Sequence, residues 1–510
     1  MMPHRRVLGV LALFPAAWIF WRAIDVPHFG FLLDDAVYMA SAKSLAEGNG
    51  YRIASLPGEP HQTKYPPGYP LLLSLVWRVA PDFPANLRWA AAMGAVAFAA
   101  MSWLAWRGSP LVAVNPVAIF YGASLMSETV GLCALLGAFA LVPVSALVAG
   151  VCGGLAFLVR AAALPLLVVG PAWYAMRRDW RGAGLFACGM LPWVAGWQWW
   201  SASRRVRDAS PQMSFYTDYF GYLAANFDWG GLGRVLGANL EAMLMSMGGL
   251  IWFDVSDGPL SSYRKTLVAL VALGGVVRLV RGAGTSACAT SVYAMFGSVY
   301  CLILLPWNFS PNERFLLPVL PLLLAGIVEA MRGMATAMFA LWSKGGGANR
   351  GFAACALAGL GVAGLGWGMA QWRAITGYFP ALLEQQRMRP DAYSWTRNNL
   401  PGDAVVLAYQ ESRLALHTGR HAIGMPLPSR LGYEGDRKRI AAYFDTATEV
   451  ARREGARYLY VTPQDFELDL DPAERAAWRK RIETGGEWRL LHRSGEVSVH
   501  EVVRRCDTLF

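Results

Sequence analysis

The hydrophobic pattern of the chain changes near residue 375. Before that point, apolar stretches recur from Val7 to Trp372, most of them of membrane-spanning length and parted by short polar breaks. The first covers 7–24 behind the basic flank "MMPHRR" and has no small-x-small cleavage site. It predicts a retained helix with its basic end in the cytoplasm. A polar loop containing Gly and Pro follows over 25–66. "PPGYPLLLSLVWRVAP" then offers only about fourteen apolar residues between prolines, the length of an interfacial or re-entrant segment. Further spans are predicted at 88–106, 110–126, 128–146, 147–160, 162–176, 183–203, 264–280, 287–306, 315–331 and 351–372, about eleven in all.

Residues 204–263 interrupt this series. Their aromatic stretch "FYTDYFGYLAANFDWGG" predicts an amphipathic loop on the outer interface, where Tyr and Trp partition. Past 375 the chain becomes charge-rich. "DAVVLAY" (403–409) and "ARYLYVTP" (456–463) predict buried strands, and "YEGDRKRIAAYFDTATEVARREG" one or two helices stopped by Gly455. "WRLLHRSGEVSVHEV" predicts a hairpin turning at Ser494-Gly495. The expected fold class is a polytopic α-helical membrane protein over 1–375, followed by a small extracytoplasmic α/β domain over 376–510.

Composition agrees with a membrane protein. The chain is 55% hydrophobic and 16% charged, against about 25% charged for a soluble protein, with mean hydropathy +0.32. Its net charge of +11 is read as cytoplasmic-loop Lys and Arg rather than as a nucleic-acid footprint. If 67–80 does not cross, Arg107, "RRDWR" (177–181), Arg278, Arg281, Arg332, Lys344 and Arg350 all fall inside. Asp34, Asp35, Lys64, Glu128, Arg160, Arg314 and the C-terminal domain then fall outside. If it does cross, the positive-inside rule fails repeatedly. The expectation is a multi-pass protein of the cytoplasmic (inner) membrane, its active face and C-terminal domain extracytoplasmic. "RRVR" at 204–207 is the external exception.

Of seven cysteines, only Cys506 lies in a polar region, and no CxxC occurs, so no disulfide framework is implied. There is no Walker loop, and "GLGVAGLG" (359–366) lies within an apolar span, where it reads as packing glycine. No nucleotide cofactor is expected.

The candidate chemistry sits in the polar breaks. In "FLLDDAVYMA" two carboxylates, Asp34 and Asp35, stand side by side. A helix cap explains Asp34, since a helical pattern runs from it to Gly48-Asn49-Gly50, but one cap does not explain two acids. "HQTKYPPGYP" places His61, Lys64 and Tyr65 before the interfacial helix, where a lysine at headgroup level meets a lipid phosphate or simply snorkels. "SLMSETVGL" holds Glu128 between apolar helices, and "GLAFLVRAAALPLL" holds Arg160 in an apolar hairpin. Acids and bases in such positions are costly and mark function. Arg314 opens another helix in "SPNERFLLPVL". Acids at Asp34, Asp35 and Glu128 suit proton abstraction or a divalent cation (Mg, Mn or Zn), for which Asp35 and Glu128 are the metal candidates. Lys64, Tyr65, Arg160 and Arg314 suit a phosphate.

In order, "DDAVYMASAKSLAEG", "KYPPGYPLLLSL", "SETVGLCALLGAFAL", "GGLAFLVRAAALPLL" and "ERFLLPVLPLLLAG" resemble the GT-C membrane glycosyltransferases. They resemble in particular the branch of protein O-mannosyltransferases and lipid A aminoarabinose transferases, over roughly residues 1–375. The family's acidic pair in the first external loop matches Asp34-Asp35, and its first acid implies a general base or acceptor-orienting role for Asp34. The family's Lys before Pro-Pro matches Lys64, here with Tyr65 inserted. The second-loop acid matches Glu128, and the basic residue of the following hairpin matches Arg160, without the usual Thr. The resemblance implies transfer of a sugar from a polyprenyl-phosphate donor to a hydroxyl or amine of a lipid, glycan or protein, with inversion. Lys64, Arg160 and Arg314 would hold the phosphate.

Three other readings stay open. A lipid or sugar transporter accounts for the helices, and a surface-polysaccharide ligase or polymerase would use the arginines of "RRVR". A receptor would work through its C-terminal domain, where Glu411, His417 and His421 read as surface loop residues with structural roles.

Overall fold

The computed structural model describes residues 11–23, 29–30, 32–105, 108–253, 258–282, 288–344, 347–378 and 390–503. Arg107, Cys506 and the first ten residues lie outside them. Helices dominate, with one five-stranded sheet in the C-terminal region. Each predicted apolar stretch carries a helix, though several are shorter than a span. Over 110–126 a 3-10 turn, Pro110–Val114, is followed by a buried eight-residue helix, Pro116–Ala123. Asn115 separates them: its side chain accepts from the Ala118 amide at 2.9 Å, with Pro116 at the first helical position.

Among the described residues, three helices are long and apolar enough to cross a bilayer by length and composition: Leu87–Ala105, Glu313–Ser343 and Asn349–Arg373. Shorter apolar helices include Ser127–Leu141, Ala146–Val159 and Thr290–Leu304. Asn349–Arg373 exposes Phe352, Val362, Leu365, Met369 and Trp372, an apolar surface suited to lipid. Its "GLGVAGLG" glycines do not pack as expected: a Cβ at Gly359, Gly361, Gly364 or Gly366 would meet nothing within 4 Å.

The chain resolves into two compact units. One gathers the described residues of Met1–Pro27, Arg88–Gly196 and Val235–Gln385; the other gathers those of His28–Leu87, Trp197–Arg234 and Gln386–Phe510. In the first unit, helices Pro259–Gly282 and Leu320–Lys344 approach backbone to backbone. A Cβ at Gly275 would collide with the Gly326 carbonyl, the close packing that small residues permit between apolar helices. The same unit contains all but the first three residues of Leu232–Ile251, a 20-residue helix within the segment expected to be an interfacial loop. Its buried Val235, Asn239, Met243 and Met247 recur every four residues and form one face. The Asn239 amide donates to the Leu305 and Trp307 carbonyls at 2.8 and 2.9 Å.

In the second unit the sheet has the order β2-β1-β3-β5-β4, with β1 Val405–Ala408, β2 His421–Ile423, β3 Tyr458–Val461, β4 Trp488–Ser494 and β5 Val497–Val502. β2, β1 and β3 are parallel, while β5 and β4 form the predicted hairpin, antiparallel to β3. Alternate strand residues serve two cores. Leu407, Ile423 and Leu459 pack with Phe444, Val450 and Trp478, whereas Val406, Ala422 and Tyr460 pack with Tyr393 and Leu414. Period-two alternation with helices on both faces makes this a three-layer α/β domain. The 28–87 segment is stitched to it. The Ala422 amide donates to the Ser55 carbonyl at 2.9 Å, and the Ser55 and Ser412 hydroxyls share a 2.9 Å bond. Thr63 donates to the Thr217 carbonyl at 2.9 Å, and Trp200 to the Gln62 carbonyl at 3.0 Å.

Candidate active site

The two adjacent aspartates do different things. Asp34 is the first residue of the helix Asp34–Ala46, not its cap; Leu33 occupies that position, with φ 63° and no side-chain cap bond. This left-handed Leu is a costly conformation for a branched residue. The Asp34 carboxylate instead accepts a bond from the Tyr65 hydroxyl. Asp35 turns inward. Its two oxygens accept from the Gly30 amide at 2.6 Å and the Ala36 amide at 2.8 Å, and it is wholly buried. Burial pushes its carboxyl up to about 7; the Asp34 charge adds to this, and the two amides and Arg413 oppose it.

Lys64 stands in an aromatic cage that includes Tyr65, the donor to Asp34. Its Nζ lies 3.3 Å from the Phe215 ring centroid, 5.0 Å from Tyr219, 5.1 Å from Tyr65 and 5.8 Å from Tyr216, within cation–π range of all four. The cage comes from Pro211–Thr217 and Tyr219–Ala225, two short helices capped by Ser210 and Asp218. Tyr216 is itself buried and bonded to Glu411. Glu411 opens the helix Glu411–Thr418 and is 3% exposed, not a surface loop residue. Burial pushes it up to about 7, against its own amide, the Tyr216 hydroxyl, Lys64 and Ser412. His417, expected on the surface, is also buried, stacked on Tyr393 at 4.4 Å. Burial, with Arg413 and Arg397, lowers it to about 3 and keeps it neutral.

Glu128, Arg160 and Arg314 form a second cluster, within the other compact unit. Glu128 lies in the first turn of Ser127–Leu141 with its side chain fully buried. One oxygen, Oε1, pairs with Arg160 Nη1 at 2.9 Å and with Arg314 Nε. Arg160 also donates to the Ser127 hydroxyl at 3.1 Å. Arg160 ends the helix Ala146–Val159 in an extended conformation, and its stem crosses Gly131, where a Cβ would lie 3.0 Å away. Asn312 caps the turn that presents Arg314. Two guanidinium groups thus share the one Glu128 carboxylate. Glu128 Oε2 and Arg160 Nε are buried without hydrogen-bond partners.

These residues do not fit the expected divalent cation. Glu128 is already held by two cations, and Asp35 is turned onto backbone amides. Among the described residues, no three His, Cys, Asp or Glu side chains gather as a metal site.

No family model matches the chain, and no curated protein does. Solved structures do. The crystal structure of ArnT from Cupriavidus metallidurans bound to undecaprenyl phosphate matches 99% of this chain and 99% of its own, at TM-score 0.56 and 13% identity. ArnT from the same organism in the apo state matches 97% of each chain, at TM-score 0.50 and 12% identity. The chain has the fold of ArnT. ArnT is an aminoarabinose transferase of the GT-C superfamily, the branch that the five motifs resemble.

On this ArnT fold, the motif residues fall into the two clusters just described: Asp34, Lys64 and Tyr65 in one, Glu128, Arg160 and Arg314 in the other. Sequence reading missed Glu411 and the role of Phe215, Tyr216 and Tyr219. The "FYTDYF" run was a usable signal for the aromatics, read there as membrane-interface anchoring. Glu411 carries no such signal, because an acid in the first turn of a helix is ordinary.

Proposed function

We propose that the protein is an integral-membrane glycosyltransferase of the GT-C type that takes a sugar from a polyprenyl-phosphate donor at the outer face of the cytoplasmic membrane. The observation that carries this reading is the ArnT fold over 99% of both chains, in a structure holding undecaprenyl phosphate. The first-loop motif residues add the chemistry, since a carboxylate and an ammonium lie together around Tyr65.

In this reading Asp34 is the general base. It takes the proton from an acceptor hydroxyl or amine as that atom bonds to the anomeric carbon. The bond from that carbon to the donor phosphate oxygen breaks, its electron pair stays on the phosphate, and the anomeric centre inverts. Tyr65, donating to Asp34, orients the base, and the Lys64 ammonium stabilises the departing phosphate. The Glu128–Arg160–Arg314 cluster brings two guanidinium groups together in the membrane domain, a further element able to meet an anion. The roughly eleven spans and the extracytoplasmic C-terminal domain belong to the same proposal.

Purified protein in nanodiscs, given a labelled polyprenyl-phosphate sugar and membrane lipid acceptors, tests this. Asp34→Asn is expected to lower turnover by about 10²–10⁴, the usual contribution of a general base, while leaving the melting temperature and undecaprenyl phosphate binding in place. Full turnover in Asp34→Asn overturns the assignment.

A further inference from the structure

The C-terminal domain contributes a buried acid to the Lys64 cage that the transfer chemistry above does not use. Glu411 is 3% exposed and Tyr216 4% exposed, and the Tyr216 hydroxyl bonds to the Glu411 carboxyl. Both atoms border Gly424, where a Cβ would lie 2.7 Å from Tyr216 Oη and 3.0 Å from Glu411 Oε2. Tyr216 also forms one wall of the cage, its ring centroid 5.8 Å from Lys64 Nζ. A carboxyl that only capped its own helix would need its own amide, which it has. The Tyr216 hydroxyl and the nearby Lys64 charge are contacts beyond that need.

We propose that Glu411 is a positioning residue for Lys64: through Tyr216 it fixes the aromatic wall on which the ammonium rests, so that the C-terminal domain completes the phosphate-handling side of the site. This rests on the reading that Lys64 meets the donor phosphate. The Ser55–Ser412 bond at 2.9 Å and the Ala422–Ser55 bond at 2.9 Å support it independently. They tie the first loop to the Glu411 helix and to β2, which holds Lys64 and Glu411 in register across one compact unit.

The test uses full-length protein in nanodiscs with two readouts. One is the rate of reductive methylation of Lys64, followed by mass spectrometry against the exposed Lys480 of the same sample. The other is the Kd for undecaprenyl phosphate. Glu411→Gln keeps the shape and removes the ionisable carboxyl, Tyr216→Phe removes the hydroxyl, and Gly424→Ala pushes the pair apart without touching Lys64. Each is expected to speed Lys64 methylation and to weaken undecaprenyl phosphate up to about tenfold, the effect of losing one buried hydrogen bond. The Glu411→Gln/Tyr216→Phe double variant should do little more than either single one.

If all three variants keep the wild-type Lys64 rate with an unchanged melting temperature, the positioning role is overturned. Fully additive effects in the double variant overturn the Tyr216 link. Faster methylation with unchanged Kd upholds the coupling and overturns the phosphate role of Lys64 instead. Gly424→Ala keeps the question open to test should Glu411→Gln misfold.

Discussion

Replacing Glu128 by Gln gives the sharpest test of the buried ion cluster. Gln preserves shape and can still accept hydrogen bonds, but it removes the negative charge that faces Arg160 at 2.9 Å and Arg314. Their side chains are only 14% and 16% exposed, so water cannot replace the lost counter-charge. Breaking a buried ion pair by removing one partner costs about 3–5 kcal/mol. Unfolding entropy averages about 2.1 cal/mol/K per residue, which over 510 residues comes to about 1.1 kcal/mol/K. If the chain unfolds as one, the melting temperature should fall by about 3–5 °C. Thermal unfolding in detergent, followed with a thiol-reactive dye, reads this through the half-buried Cys133 and Cys301. A triple variant, Glu128→Met with Arg160→Met and Arg314→Met, removes all three charges together. It should regain most of the loss, because uncompensated charge and not lost attraction is the source of the cost. A shift below about 1 °C in Glu128→Gln, or a triple variant no better than the single one, would rule out uncompensated charge as the source of the cost.

Three further outcomes are expected. Asp35 and Glu411, both held protonated up to about 7, bind protons in the native state that the unfolded chain has already released. Stability is therefore highest in acid and falls as pH rises through about 7, by about 3 kcal/mol for Glu411 alone. The Glu411→Gln melting curve should accordingly be flatter than wild type between about pH 5 and 8, and an equal slope rules the account out. Asn115→Ala loses the cap bond to Ala118 and the 2.6 Å donation to the Leu250 carbonyl; a drop of about 1–2 kcal/mol is expected, read by the same dye assay. Phe444→Ala empties the centre of the C-terminal core, where the side chain is 0% exposed, at a cost of about 3–5 kcal/mol. Limited proteolysis of the full chain should then cut within the C-terminal domain well before wild type does, and equal protection contradicts it.

Local pattern carried much of this fold. Hydropathy located the apolar helices, and alternation located β1, β3 and the hairpin with its left-handed Gly495. Both are properties of a few consecutive residues. The pattern could not show that 110–126 would break at Asn115, where a side chain competes for backbone donors. Nor could it show that Leu232–Ile251 would form a 20-residue helix with one buried face, since interfacial and buried helices share one amphipathic signature.

By itself, then, the sequence determined where the helices and most strands run. Its ordered motifs also named Asp34, Asp35, Lys64, Glu128, Arg160 and Arg314 as the residues to watch. Tertiary structure decided what each of them faces. The turn at Leu33 sends Asp34 to Tyr65 and Asp35 into the protein. Glu128 meets an arginine 186 residues away, and Glu411 reaches Tyr216 of the Lys64 cage from a distant stretch of the chain. Side-chain direction and long-range pairing depend on the backbone path and on which surfaces exclude water together, and no window of neighbouring residues encodes either.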